Sequence, residues 1–95
     1  MYTPLSLRRL MAAWPDLTDV DTHLDVYRVV PQLDVYDRLV FDDRALRGAS
    51  HYSIGVRERR RRKLPPSTDP SSVGRRAVDR VAKRLSQLLN TGEIR

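Results

Sequence analysis

The sequence predicts an α+β fold made of an N-terminal helix, a small antiparallel three-stranded sheet and a long C-terminal amphipathic helix. Apolar residues recur at helical spacing near both ends of the chain, whereas its middle holds short runs rich in Val, Leu and Tyr. An all-α fold is the alternative, because short apolar runs satisfy both the helical and the strand period. The length of 95 residues favours a single domain.

The N-terminal helix is predicted from its opening residues and from an apolar stripe. Thr3 can cap free backbone amides, and Pro4 suits the first helical position because it has no amide hydrogen to leave unpaired. The stripe follows the i, i+3, i+4, i+7 spacing and consists of Leu7, Leu10, Met11 and Trp14. Pro15 ends the helix, and residues 16–22 are predicted as a turn or a short second helix.

The three strands are predicted in the middle of the chain. The sequence Leu-Asp-Val-Tyr occurs at Leu24–Tyr27 and again at Leu33–Tyr36, and Pro31 with Gln32 indicates a tight connection between two strands. Polar and apolar residues alternate over His51–Arg57, which predicts the third strand. A helical interpretation of residues 17–40 stays open, because the same residues also satisfy helical spacing.

The C-terminal part is predicted as a linker followed by a helix. Three prolines among serines and a threonine in residues 64–72 continue neither a helix nor a strand. Ser71 or Ser72 then caps an amphipathic helix, and Gly92 supplies its stop. The predicted organisation is one compact domain with three parts: a helix and sheet ending in a basic run (1–63), the linker (64–72) and a basic amphipathic helix (73–95).

The charges are divided unevenly along the chain. The formal net charge is +6. Residues 1–56 hold six arginines against eight aspartates, which gives −2, and residues 57–95 hold twelve basic against four acidic residues, which gives +8. Such an asymmetry indicates that the C-terminal half binds an anionic partner.

The basic residues predict a small nucleic-acid-binding accessory protein that contacts mainly the phosphate backbone of DNA or RNA. A guanidinium matches phosphate geometry, and a dense basic run is relieved by a polyanion. Base reading is not expected, since no aromatic residue follows Tyr52. The predicted binding residues are Arg57, Arg59, Arg60, Arg61, Arg62, Lys63, Arg75, Arg76, Arg80, Lys83 and Arg84.

A second hypothesis is a small viral or phage-type interaction protein that inhibits or assembles with an acidic protein partner. The apolar stripe of the last helix either packs in the chain's own core or forms an interface with a partner, which includes a homodimer. The residues of this candidate interface are Val78, Val81, Leu85 and Leu88.

Catalytic, metal and cofactor chemistry is not expected. The chain has no cysteine, no glycine-rich phosphate loop and no nucleophile motif. An aspartate series from Asp16 lacks the glycine and glutamate of a calcium loop, and His23 and His51 match no metal spacing. No membrane span or secretory signal is predicted, so an intracellular, cytoplasmic location is expected, or a nuclear one if the source is a eukaryote or its virus.

Overall fold

The computed structural model describes residues 4–15 and 20–90, with side chains described for 8–15 and 24–90. These residues fold into five α-helices, a 3₁₀ turn and a π-helical turn. In chain order, the elements are α1 (Pro4–Ala13), α2 (Val20–Val29), the 3₁₀ turn (Val30–Gln32), α3 (Val35–Phe41), the π turn (Asp42–Leu46), α4 (His51–Arg61) and α5 (Pro70–Asn90).

The predicted three-stranded sheet is wrong, since the described residues contain no strand, and the all-α alternative is the one that fits. Leu24–Tyr27, predicted as the first strand, lies inside α2. The second strand, Leu33–Tyr36, instead spans a turn and the start of α3. The reason is a helix cap: the Asp34 side chain accepts a hydrogen bond from the Asp37 amide at 2.8 Å.

The predicted third strand, His51–Arg57, lies in α4. Ser50 caps this helix, because its Oγ accepts a hydrogen bond from the Ser53 amide at 3.1 Å. Burial follows the helical period, since Ile54 and Glu58 are buried whereas Tyr52 is exposed. The alternation that indicated a strand is therefore unrelated to the buried face of this segment.

The two terminal helices are present, and α5 begins earlier than predicted. Asp69 caps α5 by accepting hydrogen bonds from the Ser71 and Ser72 amides, both at 3.3 Å. Pro70 occupies the first helical position, where its missing amide hydrogen costs nothing. Helix α5 therefore includes the last three residues of the predicted linker. The predicted cap at Thr3, the stop at Gly92 and the first four residues of the segment 16–22 lie outside the described residues.

The core forms where α1, α2, α3 and α5 meet. Phe41 stacks on Trp14 with ring centroids 5.4 Å apart, and Tyr27 meets Phe41 edge-on at 6.1 Å. The Trp14 indole donates a hydrogen bond to the Val78 carbonyl at 3.2 Å, which ties the end of the first helix to the middle of α5.

The described parts of α4 and α5 pack at very close range through two glycines. A Cβ placed on Gly55 would lie 1.6 Å from the Pro70 carbonyl oxygen, and one placed on Gly74 would lie 1.7 Å from that of His51. Each glycine therefore rests on one backbone turn of the other helix. This contact fixes α4, which carries the basic run, against α5, which carries the second set of cations.

Candidate nucleic-acid interface

Among the described side chains, three acidic ones are buried between the helices and are paired with arginines. Asp37, Asp43 and Glu58 are nearly inaccessible to solvent. A buried carboxylate without a partner is costly, so these acids require the nearby cations. The arginines that pair with them are Arg47, Arg57, Arg61 and Arg80.

Asp43 is held inside by the π turn that follows α3. Its Oδ1 accepts hydrogen bonds from Arg57 at 2.6 Å and from Arg47 at 2.7 Å, and Arg61 lies 4.0 Å from its Oδ2. The Asp43 side chain is 4% exposed, whereas those of Arg47 and Arg57 are 66% and 55% exposed. The two exposed arginines thus neutralise a carboxylate that cannot itself reach water.

Glu58 lies at the centre of the same network. Arg61 Nη2 is 3.4 Å from Glu58 Oε1, and Arg80 Nη2 is 3.6 Å from Oε2, while Arg80 Nε donates to Asp37 at 2.9 Å. Glu58 Oε1 and the Nε and Nη2 of Arg61 are buried without a hydrogen-bond partner. The ion pair therefore leaves one acceptor and two donors unsatisfied.

Four of the eleven predicted binding cations make contacts within the chain and are therefore not free to bind phosphate. Arg57, Arg61 and Arg80 neutralise buried acids. Arg59 donates to the Pro66 and Thr68 carbonyls at 3.0 Å and so fastens the connection between α4 and α5. The other seven predicted cations make no side-chain ion pair or hydrogen bond with another described residue. They are Arg60, Arg62, Lys63, Arg75, Arg76, Lys83 and Arg84.

A cleft brings the two basic segments together. Its volume is about 390 Å³, and it lies over the buried network. Arg61, the last residue of α4, and Arg62, which follows it, face the cleft together with Arg80 of α5. The complete lining consists of Asp34, Tyr36, Asp37, Glu58, Arg61, Arg62 and Arg80.

Cations also follow one side of α5 away from this cleft. Arg76, Arg80 and Lys83 recur at i, i+4 and i+7, and Arg84 follows at i+8, so they share a helix face. Arg80 also lines the cleft, so the stripe passes the cleft at this residue. The stripe of α5 and the end of α4 therefore meet at the cleft.

The four apolar residues of the predicted partner interface are buried within this single chain. Val81 and Leu85 are fully buried, and the other two are 4% exposed or less. They pack in the same apolar cluster as Trp14 and Phe41. In this fold, these residues have the first of the two roles left open by the sequence, which is packing in the chain's own core. They are Val78, Val81, Leu85 and Leu88.

Sequence reasoning missed the buried acids and Tyr36. Glu58 was the sole acid in a basic run, at i−3 from Arg61, and this spacing is a usable signal for an internal ion pair. Asp43 lies in a π turn, and such turns are frequent at functional sites. Tyr36 comes from the acidic half and reaches the arginines only through helix packing, so no local pattern points to it.

His51, the first residue of α4, has a pKa lowered from its ordinary value of 6.5. Partial burial disfavours its charged form, and Arg44 and Arg75 add repulsion that outweighs the attraction of Asp79. Within the described residues no cluster of three or more histidine and acidic side chains could hold a metal ion. The side chain of His23 lies outside the described set.

The lowered pKa predicts a decline in stability on mild acidification. The unfolded chain binds a proton at His51 more readily than the folded one, so the free energy of unfolding falls as the pH drops below about 6.5. Replacing His51 by Gln should remove the part of the pH dependence that His51 contributes to the free energy of unfolding between about pH 7.5 and 5.5. Urea unfolding of both proteins at several pH values measures it, and an unchanged pH dependence in the variant would contradict the assignment.

No protein-family model matches the chain, and neither a curated protein nor a solved structure matches it. No helix among residues 4–15 and 20–90 is both long enough and apolar enough to cross a membrane. Any functional conclusion must therefore come from the side chains themselves.

Proposed function

We propose that the protein is a small nucleic-acid-binding accessory protein that contacts mainly the phosphate backbone. The observation that carries this proposal is the set of seven unpaired cations at the end of α4 and on α5, two segments that meet at the cleft lined by Arg62 and Arg80. Two basic segments that are separate in sequence thereby lie beside one another, with their free cations around the cleft and not inside it.

The charge balance of the surface supports a polyanion as its partner. The four network arginines are matched by three buried acids, which leaves that cluster with a charge of +1. The seven unpaired cations lie outside it, with α5 contributing four and the end of α4 contributing three. If each contacts one phosphate, the affinity for duplex DNA falls by about four powers of ten between about 50 and 200 mM salt, because bound cations are released.

Replacing the cations at the end of α4 should weaken binding and its salt dependence together. In the variant Arg60→Ser, Arg62→Ser, Lys63→Ser, the slope of log affinity against log salt should fall by about 2 to 3, since each lost phosphate contact removes nearly one. Fluorescence anisotropy with duplex DNA, single-stranded DNA and RNA measures this slope. Circular dichroism checks that the variant keeps its helices.

A matched control removes the same charge from another place. Arg8, Arg28 and Arg38 are exposed on the N-terminal half, and the latter two make only surface ion pairs longer than 3.5 Å, which contribute little. Their triple replacement by Ser should leave the slope nearly unchanged. Equal losses in both variants would mean that net charge alone attracts the nucleic acid, and no binding by the natural chain would overturn the proposal.

A second candidate function is the binding of an acidic protein partner. It is favoured by apolar side chains that α3 exposes, notably Val35 at 70% and Leu39 at 43%. Leu39 shares a cleft of about 230 Å³ with Arg57 and Arg60, so the apolar patch is bordered by cations. A partner recovered from nuclease-treated lysate by the natural chain, and lost with Val35→Ser, Leu39→Ser, would support this function. Recovery that depends on intact nucleic acid would reject it.

A further inference from the structure

We infer that the cleft between α3, α4 and α5 takes up one unpaired base, and that the protein therefore prefers single-stranded to duplex nucleic acid. This inference rests on the proposed function and names its substrate class. It depends on two observations, which are the position of Tyr36 and the charge balance of the cleft.

Tyr36 gives the cleft an aromatic surface beside its arginines. The residue lines the cleft and remains 56% exposed, so a ligand in the cleft can reach its ring. Aromatic side chains next to cations are the common platform on which successive bases of a single strand stack. Arg62 at the same cleft can contact the phosphate of the stacked nucleotide.

The interior of the cleft suits a neutral polar group better than a phosphate. Three acids and three arginines line it, and Asp37 and Glu58 already bind two of the arginines. A phosphate inside would be repelled by Asp34, Asp37 and Glu58. A base carries no net charge, so it can occupy the cleft while its phosphates remain on the unpaired cations outside.

The pairing state of a base decides whether it can enter the cleft. In a duplex the base edge is paired and the base face is stacked, so the face is not available to Tyr36. An unpaired base offers its face for stacking on this ring.

The test compares two ligands that have the same phosphates. One is a single strand of about 12 thymidines, and the other is an abasic strand of equal length. The natural chain should bind the strand with bases about 5 to 100 times more tightly, which is the range for stacking of one base on an aromatic ring. Tyr36→Leu should abolish this ratio at every salt concentration while leaving the salt slope unchanged, because stacking releases no counterions.

Two further variants keep the result specific to the ring and the cleft. Tyr36→Phe retains the ring and should retain the ratio. Tyr52 is 58% exposed and lies on the first turn of α4 outside the cleft, so Tyr52→Leu should also retain it. Equal binding of both strands by the natural chain, or an unchanged ratio in Tyr36→Leu, would overturn the inference and leave phosphate binding intact. Absence of binding to either strand would instead reject the proposed function.

Discussion

Replacing Gly74 by Ala is expected to lower the free energy of unfolding by about 3 kcal/mol or more, the upper end for overpacking. The new Cβ would lie 1.7 Å from the His51 carbonyl oxygen and 2.9 Å from the Gly55 amide nitrogen. Both are backbone atoms within α4, so no side-chain rotation can make room. Helices α4 and α5 would have to separate, and the contacts of the surrounding core would be lost.

The sign of this effect separates close packing from helix propensity. In an uncrowded helix, Gly→Ala stabilises by about 1 kcal/mol, because alanine loses less backbone entropy on folding. Thermal unfolding should instead show a fall of about 15 °C in Tm, given the entropy of unfolding of a chain of this size. An unchanged or higher Tm would mean that the two helices do not touch at Gly74.

Gly48 provides the control for this substitution. It has a φ of +67°, and a Cβ there would meet no atom within 4 Å. Alanine at position 48 should cost about 1 kcal/mol through its backbone conformation alone. A loss at Gly74 that is no greater than the loss at Gly48 would remove the case for steric overlap between the helices.

The sequence predicted the two ends of the fold and failed in the middle. Pro4 opens α1, and the Leu and Val spacing of α5 follows its buried face, because each signal lies within its own helix. The central runs are short and rich in Val and Tyr, and their strand propensity was overridden by caps at Asp34 and Ser50 and by packing on α5. Strand propensity alone therefore could not show whether these runs form strands or helices.

The candidate site was partly predictable for the same physical reason. A basic run and a cationic helix face are local features, so the sequence located the charge and the two segments that carry it. Which arginines are free depends on the buried partners Asp37, Asp43 and Glu58, and these pairings join residues that are distant in sequence. The sequence therefore counted Arg57 and Arg80 as available, although the fold uses both.

The loss of stability should be much larger when both arginine partners of Asp43 are replaced than when one is replaced. Asp43 is enclosed, whereas Arg47 and Arg57 reach solvent. Replacing both arginines by Met should cost about 3 kcal/mol, because a buried carboxylate loses its two close partners and keeps only Arg61 at 4.0 Å. Replacing either arginine alone should cost less than about 1 kcal/mol, since the other still neutralises Asp43.

Removing the carboxylate should rescue the double variant. Adding Asp43→Asn to Arg47→Met, Arg57→Met eliminates the uncompensated buried charge, so the triple variant should regain about 2 kcal/mol despite carrying one more substitution. In the natural background, Asp43→Asn lets both exposed arginines turn to water and costs less than the double variant. Urea unfolding of these proteins gives the coupling energy. If the triple variant is less stable than the double variant, Asp43 is not a buried charge that depends on these arginines.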